Sequence, residues 1–281
     1  MKRVGVVTAS ALPEPDLDEP LLLSALGAAG LDARVVAWDD PSVAWDALDL
    51  CVVRSTWNYV DRRHAFCAWA DACARVTQLW NPPDVLRWST DKAYLAELEG
   101  RGVPIVPTAF SAHDSRPASA IAAARGWSDI VIKPRVSAGS HATRRFTRSA
   151  WPEADAFLRD RLAFGPMMIQ PFQRAITTDH GERSLVWIAG AWTHAIRKAP
   201  RFSGDAESVQ GPLPIADDER AVAALALAPF ADRVLYARVD LVRDDEGAPR
   251  VMELELAEPS LFLDRSPSAL ERLVAAIARR A

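Results

Sequence analysis

The sequence predicts an α/β (α+β) protein whose first lobe contains a parallel sheet. In the first ninety residues, short apolar segments alternate with segments of helical periodicity, which is typical of strands and helices around a parallel sheet. Beyond about residue 165, apolar segments follow one another with few helical segments between them, which indicates a β-rich part. The 281 residues suffice for one large domain or for two to three smaller lobes.

Composition limits the kinds of partner that we expect. Apolar residues make up 49% of the chain and charged residues 25%, and the net charge of −4 offers no basic surface for nucleic acid. No apolar run is long enough to cross a membrane, and "MKRVGVVTAS" is predicted to be a first strand, not a signal peptide. Cys51, Cys67 and Cys73 lack metal-site spacing and are predicted to be buried free thiols, which fits a reducing cytoplasm.

The first lobe, residues 1–88, is predicted to place a binding surface at the end of its third strand. "RVGVVTA", "DARVVAW" and "LDLCVVRST" are predicted strands, and "EPLLLSALGAAG" and "DRRHAFCAWADACARV" are predicted helices, the first closed by Gly30. Ligands of such sheets bind beyond the carboxyl ends of the strands. The segment "RSTWNY" therefore either binds a small molecule or forms a surface turn. The candidates are Arg54, Ser55, Thr56, Trp57 and Asn58.

Two further lobes are predicted beyond the adjacent prolines of "NPPDVLRW", which indicate a boundary. The middle lobe, 89–172, is predicted to begin with a helix over "STDKAYLAELEGRG". It continues with strands "VPIVPTAF", "DIVIKP" and "MMIQPF" and with helices "PASAIAAARG" and "WPEADAFLRDRL". The last lobe, 173–281, is predicted to contain strands "RSLVWIAG", "AWTHAIRK", "VLYARVDLV" and "RVMELEL", followed by the helix "SALERLVAAIARR".

The segment 236–256 is predicted to be a hairpin with charged residues on one face. Its turn "DDEGAP" would pair Arg243 with Arg250, Asp240 with Glu253 and Arg238 with Glu255. Because side chains alternate along a strand, the same face of the hairpin would carry Arg238, Asp240, Glu253 and Glu255. Carboxylates this close repel one another unless a cation compensates, and their hard oxygen atoms suit Mg²⁺ or Mn²⁺. The alternative is an ordinary solvated face of an antiparallel sheet.

Two lysines are candidates for phosphate contacts. Lys92 is predicted in the first turn of its helix, where the helix dipole disfavours a cation unless an anion binds there. Lys133 ends a strand and precedes "RVSAGSHAT", a small-residue loop with Ser137 and Gly139 that could fold over phosphates with exposed N–H groups. The sequence contains neither G-x-x-x-x-G-K-[ST] nor G-x-G-x-x-G, the two commonest nucleotide motifs.

A second hairpin is predicted over "GERSLVWIAGAWTHAIRKAP", with its turn at Ala189 and Gly190. A two-residue turn would place Glu182 opposite Arg197 as a weak cross-strand ion pair and would direct Lys198 to the other face. The sequence shows no serine–histidine or cysteine–histidine signature, so no protein nucleophile is expected.

The ordered set of motifs resembles the ATP-grasp superfamily of carboxylate ligases over about residues 81–263. The set comprises the lysine-bearing helix, "DIVIKP" with its loop, "IQPF", "GERS", "HAIRK", "RVD" and "MELE". "RSTWNY", "NPPDVLRW", "DKAYL" and "ELELAEPSLFL" are most similar to glutathione-synthetase-like members that include the cycloserine-forming (O-ureido-serine) cyclo-ligase. The resemblance implies an N-terminal α/β lobe followed by two grasp lobes that enclose ATP.

The resemblance also implies roles for residues at matching positions. ATP would be bound through Lys92, Lys133, Ser137, Gly139, Gln170, Phe172 and Glu182. The metal ligands would be Asp240, Glu253 and Glu255, although many grasp enzymes have asparagine at the last position. Arg238 would act on the transferring phosphoryl group and the tetrahedral intermediate, with Lys198 and Arg197 as further phosphate or substrate contacts. The loop 201–212 lacks the expected paired glycines, and Glu258 matches no motif.

The implied activity is an ATP- and Mg²⁺-dependent (or Mn²⁺-dependent) ligase. It would activate a small-molecule carboxylate as an acyl phosphate and join it to a nitrogen nucleophile, either on a second molecule or within the same one. The enzymatic alternative is a peptide ligase that adds an amino acid to a peptide or protein end. The non-enzymatic alternative is a degenerate nucleotide-binding module. Assembly as a homodimer is an expectation from analogy alone.

Overall fold

A computed structural model describes residues 1–112, 116–139, 141–199 and 208–281, which form three sheets with helices packed on them. The strands are β1 (Arg3–Thr8), β2 (Asp32–Ala37), β3 (Leu50–Val53), β4 (Gln78–Trp80), β5 (Ala109–Ser111), β6 (Ile130–Pro134), β7 (Arg144–Phe146), β8 (Met167–Pro171), β9 (Glu182–Ile188), β10 (Ala191–Lys198), β11 (Val209–Leu213), β12 (Tyr236–Arg243) and β13 (Pro249–Glu255). The α-helices are α1 (Glu19–Ala28), α2 (Arg63–Cys73), α3 (Pro83–Ser89), α4 (Tyr94–Gly100), α5 (Ala118–Ala124), α6 (Trp151–Leu162), α7 (Asp217–Leu227) and α8 (Pro267–Ala278).

The first sheet is parallel, as predicted, in the order β2-β1-β3-β4. Its central strands are buried and rich in valine, which suits a parallel sheet covered by helices. The chain leaves α1 through Gly30, whose φ of 78° a residue without a Cβ adopts freely. Strand β4 is too short and too polar at its first residue to be recognised from periodicity.

The other two sheets are antiparallel. The middle sheet has the order β5-β8-β6-β7 and is covered by α5 and α6. The third sheet has the order β11-β10-β9-β12-β13, and α7 packs on it through Ala223, Ala226 and Leu227. The mixed architecture confirms the predicted fold class. The lobe boundaries at 88/89 and 172/173 stay predictions, since the sheets themselves only bracket them.

Helix α8 returns to the first lobe and completes its core. Leu273 and Ile277 are fully buried in one cluster with Val4 and Leu22 of the first lobe and with Tyr236 of β12. The first and third sheets therefore share apolar packing, which fixes their relative positions.

One prediction about the junction after the first lobe is wrong, the one for Lys92, whereas the boundary itself stays a prediction. "NPPDVLRW" is mostly helix α3, because Pro83 stands at a first-turn position, where a proline needs no N–H partner. Lys92 lies in the turn between α3 and α4, not in the first turn of a helix, so the argument from the helix dipole does not apply to it.

Both predicted hairpins exist, and a β-bulge changes the pairing in each. In β12–β13, Asp240 pairs with Glu253 and Arg238 with Glu255, as predicted. At the turn Arg243 pairs with Pro249, not with Arg250, and the register shift beyond Asp240 leaves Met252 without a partner. In β9–β10 the turn is at Ala189 and Gly190, as predicted.

The bulge in β9–β10 overturns the predicted ion pair between Glu182 and Arg197. The register shifts between Trp192 and His194, so that Lys198 pairs with Glu182. Thr193 is the extra residue, and its hydroxyl donates to the carbonyl oxygen of Val186 at 3.2 Å. One added residue exchanges the two faces of the strand beyond it, so Lys198 is directed to the charged face.

The three cysteines are buried free thiols, which confirms the prediction. A hydrogen bond with the neighbouring Cys73 thiol, together with burial, raises the pKa of Cys51 above its usual range. In the described parts of the chain, no helix is long and apolar enough to span a bilayer.

Candidate active site

A cavity of about 850 Å³ opens where the three sheets meet. It is lined by most of the predicted site residues: Trp57, Asn58, Lys92, Lys133, Ser137, Gly139, Gln170, Phe172, Glu182, Lys198, Arg238, Asp240, Glu253 and Glu255. A cavity of this size with charged groups along one wall suits a nucleotide and a second small molecule.

The charged wall of the cavity is the β12–β13 hairpin. Asp240 is 2% exposed and accepts bonds of 2.9 Å from Nε and from Nη2 of Arg238, one to each carboxylate oxygen. Arg238 also bonds to Glu255 on the paired strand and donates to the carbonyl oxygen of Ser260 at 3.2 Å. The guanidinium group is therefore held in one orientation by a bidentate contact.

Two lysines from other elements meet at Glu253. Lys133 Nζ, at the end of β6, lies 2.8 Å from Glu253 Oε1, and Lys92 Nζ lies 3.5 Å from Oε2. Lys92 also donates to the carbonyl oxygen of Ser137 at 2.8 Å, which ties the loop after β6 to this wall. Burial by itself raises the pKa of Glu253, but the charges of Lys133 and Lys92 outweigh it and hold the pKa at about 2.

Lys198 connects the two hairpins. Its Nζ lies 2.8 Å from Asp240 Oδ2 and 2.5 Å from Glu182 Oε1. Burial and Arg238 act to lower the pKa of Lys198, but Asp240, Glu182 and Glu255 outweigh them and raise it. Burial would raise the pKa of Asp240, but Arg238 and Lys198 keep it well below its usual range. Lys198 and Asp240 therefore remain charged at neutral pH.

Glu255 differs from its neighbours because it has fewer cations around it. Burial, followed by repulsion from Asp240 and Glu253, raises the pKa of Glu255 to about 8, despite its contact with Arg238. The positive charges near Glu255 therefore do not offset its burial and the negative charges of Asp240 and Glu253.

The donor set fits a divalent cation by its chemistry, since carboxylate oxygens are preferred ligands of Mg²⁺. A cation beside Glu255 would also relieve the repulsion that raises its pKa. Nevertheless, the side chains that the structure describes include no group of three His, Cys, Asp or Glu residues placed to hold a metal ion. Lysine and arginine groups occupy the carboxylate oxygens instead, so the metal assignment stays a prediction.

The opposite end of the cavity is less charged. Gln170 is 3% exposed and its amide donates to Thr108 Oγ1 at 2.9 Å. The guanidinium carbon of Arg145 lies 3.7 Å from the ring centre of Phe172, and Arg145 also lines the cavity. These flat side chains are suited to stacking on an aromatic base.

The residues of "RSTWNY" divide into two groups. Trp57 and Asn58 line the cavity, but Arg54, Ser55 and Thr56 are buried and do not. Arg54 is 2% exposed, lies 3.2 Å from Asp18 Oδ2 and donates to the carbonyl oxygen of Pro259 at 2.9 Å. Direct substrate contact by Arg54, Ser55 or Thr56 is thus not supported, because the chain segment 257–263 covers this strand end.

Arg197 is also placed away from the cavity. Its guanidinium group donates to Gln210 Oε1 and to the carbonyl oxygen of Thr178, each at 2.9 Å. The Thr193 bulge turns it to the face opposite Lys198. Residues 201–207 of the loop that lacks paired glycines, and Ser140 of the loop after β6, lie outside the described residues.

Tyr59, Arg145 and Glu258 are among the residues that line the cavity and that sequence reasoning missed. Tyr59 belongs to "RSTWNY" but follows the residues taken as candidates, and Arg145 lies in the short strand β7. The sequence pattern assigns no role to Glu258, which is 9% exposed at the cavity surface. A buried acid directly before a proline was the signal available for the last of these.

Comparison with known proteins identifies the family. Residues 4–81 match the family described as "D-cycloserine synthetase DcsG, N-terminal domain". The chain is 35% identical over 295 residues to the cycloserine biosynthesis protein DcsG of Streptomyces lavendulae, with 98% of this chain and 97% of the relative covered. The chain belongs to the ATP-grasp carboxylate–amine ligases, in the family of DcsG.

Solved structures agree with this membership. The crystal structure of D-cycloserine synthetase DcsG matches with a TM-score of 0.88 and 35% identity, covering 99% of each chain. The ATP-grasp ligase PsnB, solved with a minimal precursor, Mg and ADP, matches with a TM-score of 0.66 at 19% identity over 99% of this chain and 97% of PsnB. The PsnB likeness concerns the fold alone. The 35% identity to DcsG confirms the prediction that the chain is an ATP-grasp ligase.

Proposed function

We propose that this ATP-grasp ligase forms a ring by joining the carboxylate of an amino acid derivative to a nitrogen of the same molecule. The observation that carries the proposal is the 35% identity to DcsG over 98% of the chain. D-cycloserine is a ring in which the carboxyl carbon is bonded to a nitrogen attached to oxygen. The proposed substrate class is therefore a serine derivative with an aminooxy or ureido group, such as O-ureido-D-serine.

The proposed reaction has two steps. In the first, a carboxylate oxygen of the substrate attacks the γ-phosphorus of ATP, which yields an acyl phosphate and ADP. In the second, the nitrogen attacks the acyl carbon and gives up its proton, the C–N bond forms, and phosphate leaves with the C–O bond electrons; with a ureido substrate the ring nitrogen keeps its carbamoyl group in this step. Such a route requires positioning and charge stabilisation but no protein nucleophile.

The charged wall supplies that stabilisation. Lys92 and Lys133 would contact the phosphates, after exchanging part of their contact with Glu253 for phosphate oxygens. Arg238, fixed by its two bonds to Asp240, would stabilise the negative charge that develops on the oxygen of the acyl carbon. Gln170 and Phe172 would contact the base of the nucleotide.

Asp240, Glu253 and Glu255 would hold Mg²⁺. When bound, the ion would neutralise phosphate charge during the transfer. Its arrival would require these carboxylates to exchange ion pairs with Lys198, Lys133 and Arg238. Residues 136–139 and 141–143 of the loop after β6 are the proposed cover over the phosphates, since Lys92 donates to the carbonyl oxygen of Ser137.

A panel assay tests the proposal. Purified protein is incubated with ATP, Mg²⁺ and one carboxylate at a time: O-ureido-D-serine, O-ureido-L-serine, D-serine or D-alanine. Release of ADP and cyclised product is expected with the D-ureido compound above all others. Peptide formation from D-alanine without cyclisation of any ureido compound would instead favour an amino acid ligase. Absence of ADP with every compound would contradict ligase activity on this substrate class.

A further inference from the structure

Glu258 lies in the cavity wall on a segment that the first lobe holds in place. The Trp57 indole N–H donates to the carbonyl oxygen of Glu258 at 3.0 Å, and Arg54 donates to that of Pro259 at 2.9 Å. Asp18 accepts the backbone N–H of Leu261 at 2.7 Å. Although Glu258 follows the last strand of the sheet, its backbone and the residues after it are thus held by the first lobe, and the residue is 9% exposed at the cavity.

The electrostatic surroundings of Glu258 differ from those of the four acids that the two hairpins present to the cavity. Glu182, Asp240, Glu253 and Glu255 each have a lysine or arginine nitrogen within 4.0 Å. Across the described ranges, no such ion pair is formed by Glu258. Glu258 and Tyr59 line the same cavity, and the buried, neutral phenol of Tyr59 acts on the carboxyl group of Glu258. A buried carboxyl group without a paired cation readily accepts a proton.

The balance of charges agrees with that role. Burial raises the pKa of Glu258 to about 7, while Tyr59 and the more distant charges of Lys92 and Arg238 act to lower it. At neutral pH the group would exist in both forms, which is the condition for accepting and then releasing a proton in each cycle.

We propose that Glu258 is the general base that accepts the proton of the attacking nitrogen, with Tyr59 as the residue that positions it. The inference rests on the function proposed above. As the N–C bond forms, the N–H bonding electrons remain on nitrogen and the proton passes to the Glu258 carboxylate. Phosphate leaves the acyl carbon, and the proton is later released to water. Atoms and charges balance without a further reactant.

The position of Arg238 supports this assignment. Arg238 donates to the carbonyl oxygen of Ser260, two residues beyond Glu258, at 3.2 Å. The group proposed to stabilise the oxyanion and the group proposed to take the proton therefore flank the same part of the cavity. A ureido nitrogen is a weak nucleophile while it keeps its proton, because its lone pair is delocalised into the neighbouring carbonyl group, so a ureido substrate needs such a base.

The variant Glu258→Gln separates the two steps of the reaction. Wild-type protein and variant are incubated with ATP, Mg²⁺ and O-ureido-D-serine, with and without hydroxylamine, which attacks acyl phosphates without needing a base. We expect the variant to lose cyclisation by roughly 10²–10³-fold while hydroxamate formation is unchanged. Tyr59→Phe should give a smaller loss of cyclisation with the same retention of hydroxamate.

Controls separate this role from the alternatives. Glu271→Gln, an exposed change in α8, should match the wild type in both products, and thermal unfolding of each variant verifies that it is folded at the assay temperature. Equal losses of hydroxamate and cyclised product in Glu258→Gln, or a higher KM for the substrate in hydroxamate formation, would show a binding role and overturn the assignment. So would unchanged cyclisation. Absence of both ADP and hydroxamate with the wild-type protein would instead overturn the proposed function.

Discussion

The acids of the β12–β13 hairpin and Glu258, which follows it, have different charged neighbours and different pKa values. On the β12–β13 hairpin, Asp240 and Glu253 are neutralised by cations from other elements, and the pKa of Glu253 is held at about 2. Three residues beyond the hairpin, Glu258 has the phenol of Tyr59 as its partner, and its pKa rises to about 7. Similar burial thus gives opposite shifts, because the neighbours decide the sign.

Because the pKa values of these acids differ, one cavity can support two kinds of chemistry. Fixed charges that stay ionised suit the binding and transfer of phosphate. A carboxyl group near neutrality suits proton transfer.

Asp240→Asn should have the largest effect on activity. It removes a proposed metal ligand and the anion that orients Arg238, and it leaves Lys198 with one partner fewer. ADP formation should fall by about 10³-fold, or ~4 kcal/mol in the activation barrier. The measurement is coupled-assay turnover at saturating ATP. Turnover within a factor of a few of wild type would show that Asp240 belongs to neither role.

Asp18→Asn should lower stability more than activity. It leaves the buried guanidinium of Arg54 without its counter-charge and weakens the bonds that Asp18 accepts from Leu261 and Leu263. The free energy of unfolding in urea should fall by about 3 kcal/mol. The matched control is Asp46→Asn at an exposed position, which should change it little. Equal stability of the two variants would mean that Arg54 is solvated in spite of its burial.

The pH dependence of stability should change in Glu258→Gln. Because the pKa of Glu258 is raised to about 7 in the folded protein, its protonated form favours folding, and that stabilisation is lost as pH rises from about 5 to 7. The wild-type free energy of unfolding should therefore decline by about 2 kcal/mol more than that of the variant across this window. Urea unfolding at pH 5, 6, 7 and 8 measures it. Parallel curves would mean that Glu258 titrates normally.

Trp57→Phe should have the smallest effect. It removes the indole donor to the Glu258 carbonyl oxygen and keeps most of the apolar contact. The loss in unfolding free energy should be about 1 kcal/mol, with cyclisation reduced more than hydroxamate formation. Equal reduction of both products would show that Trp57 acts on substrate binding and not on the position of Glu258.

The sequence predicted which charged residues face one another on the β12–β13 hairpin, but it did not predict the β-bulges in the two hairpins. The pairing of Asp240 with Glu253 is correct, yet the turn is shifted by one residue and the Met252 bulge restores the register. In the other hairpin the Thr193 bulge has no compensating change, and so the predicted partner of Glu182 was wrong. The positions of β-bulges depend on packing against neighbouring strands, and this packing cannot be predicted from local sequence patterns.

The burial of the residues that follow β3 could not be predicted from local patterns either, because it depends on a distant part of the chain. Arg54, Ser55 and Thr56 follow a parallel strand, where ligands commonly bind. Instead, a segment about two hundred residues later in the chain covers them, as the bond from Arg54 to Pro259 demonstrates. Only the three-dimensional contact distinguishes a residue that binds substrate from one that supports the wall of its site.

The return of helix α8 to the first lobe has a consequence for the order of folding. Leu273 and Ile277 share a core with Val4 and Leu22. The N-terminal lobe is synthesised first, so part of its core is missing until α8 has also been synthesised. Such a long-range contact is closed late and favours cooperative, post-synthetic completion over lobe-by-lobe maturation on the ribosome. Because Tyr236 of β12 belongs to the same core, the site-bearing hairpin becomes fully fixed only at that final stage.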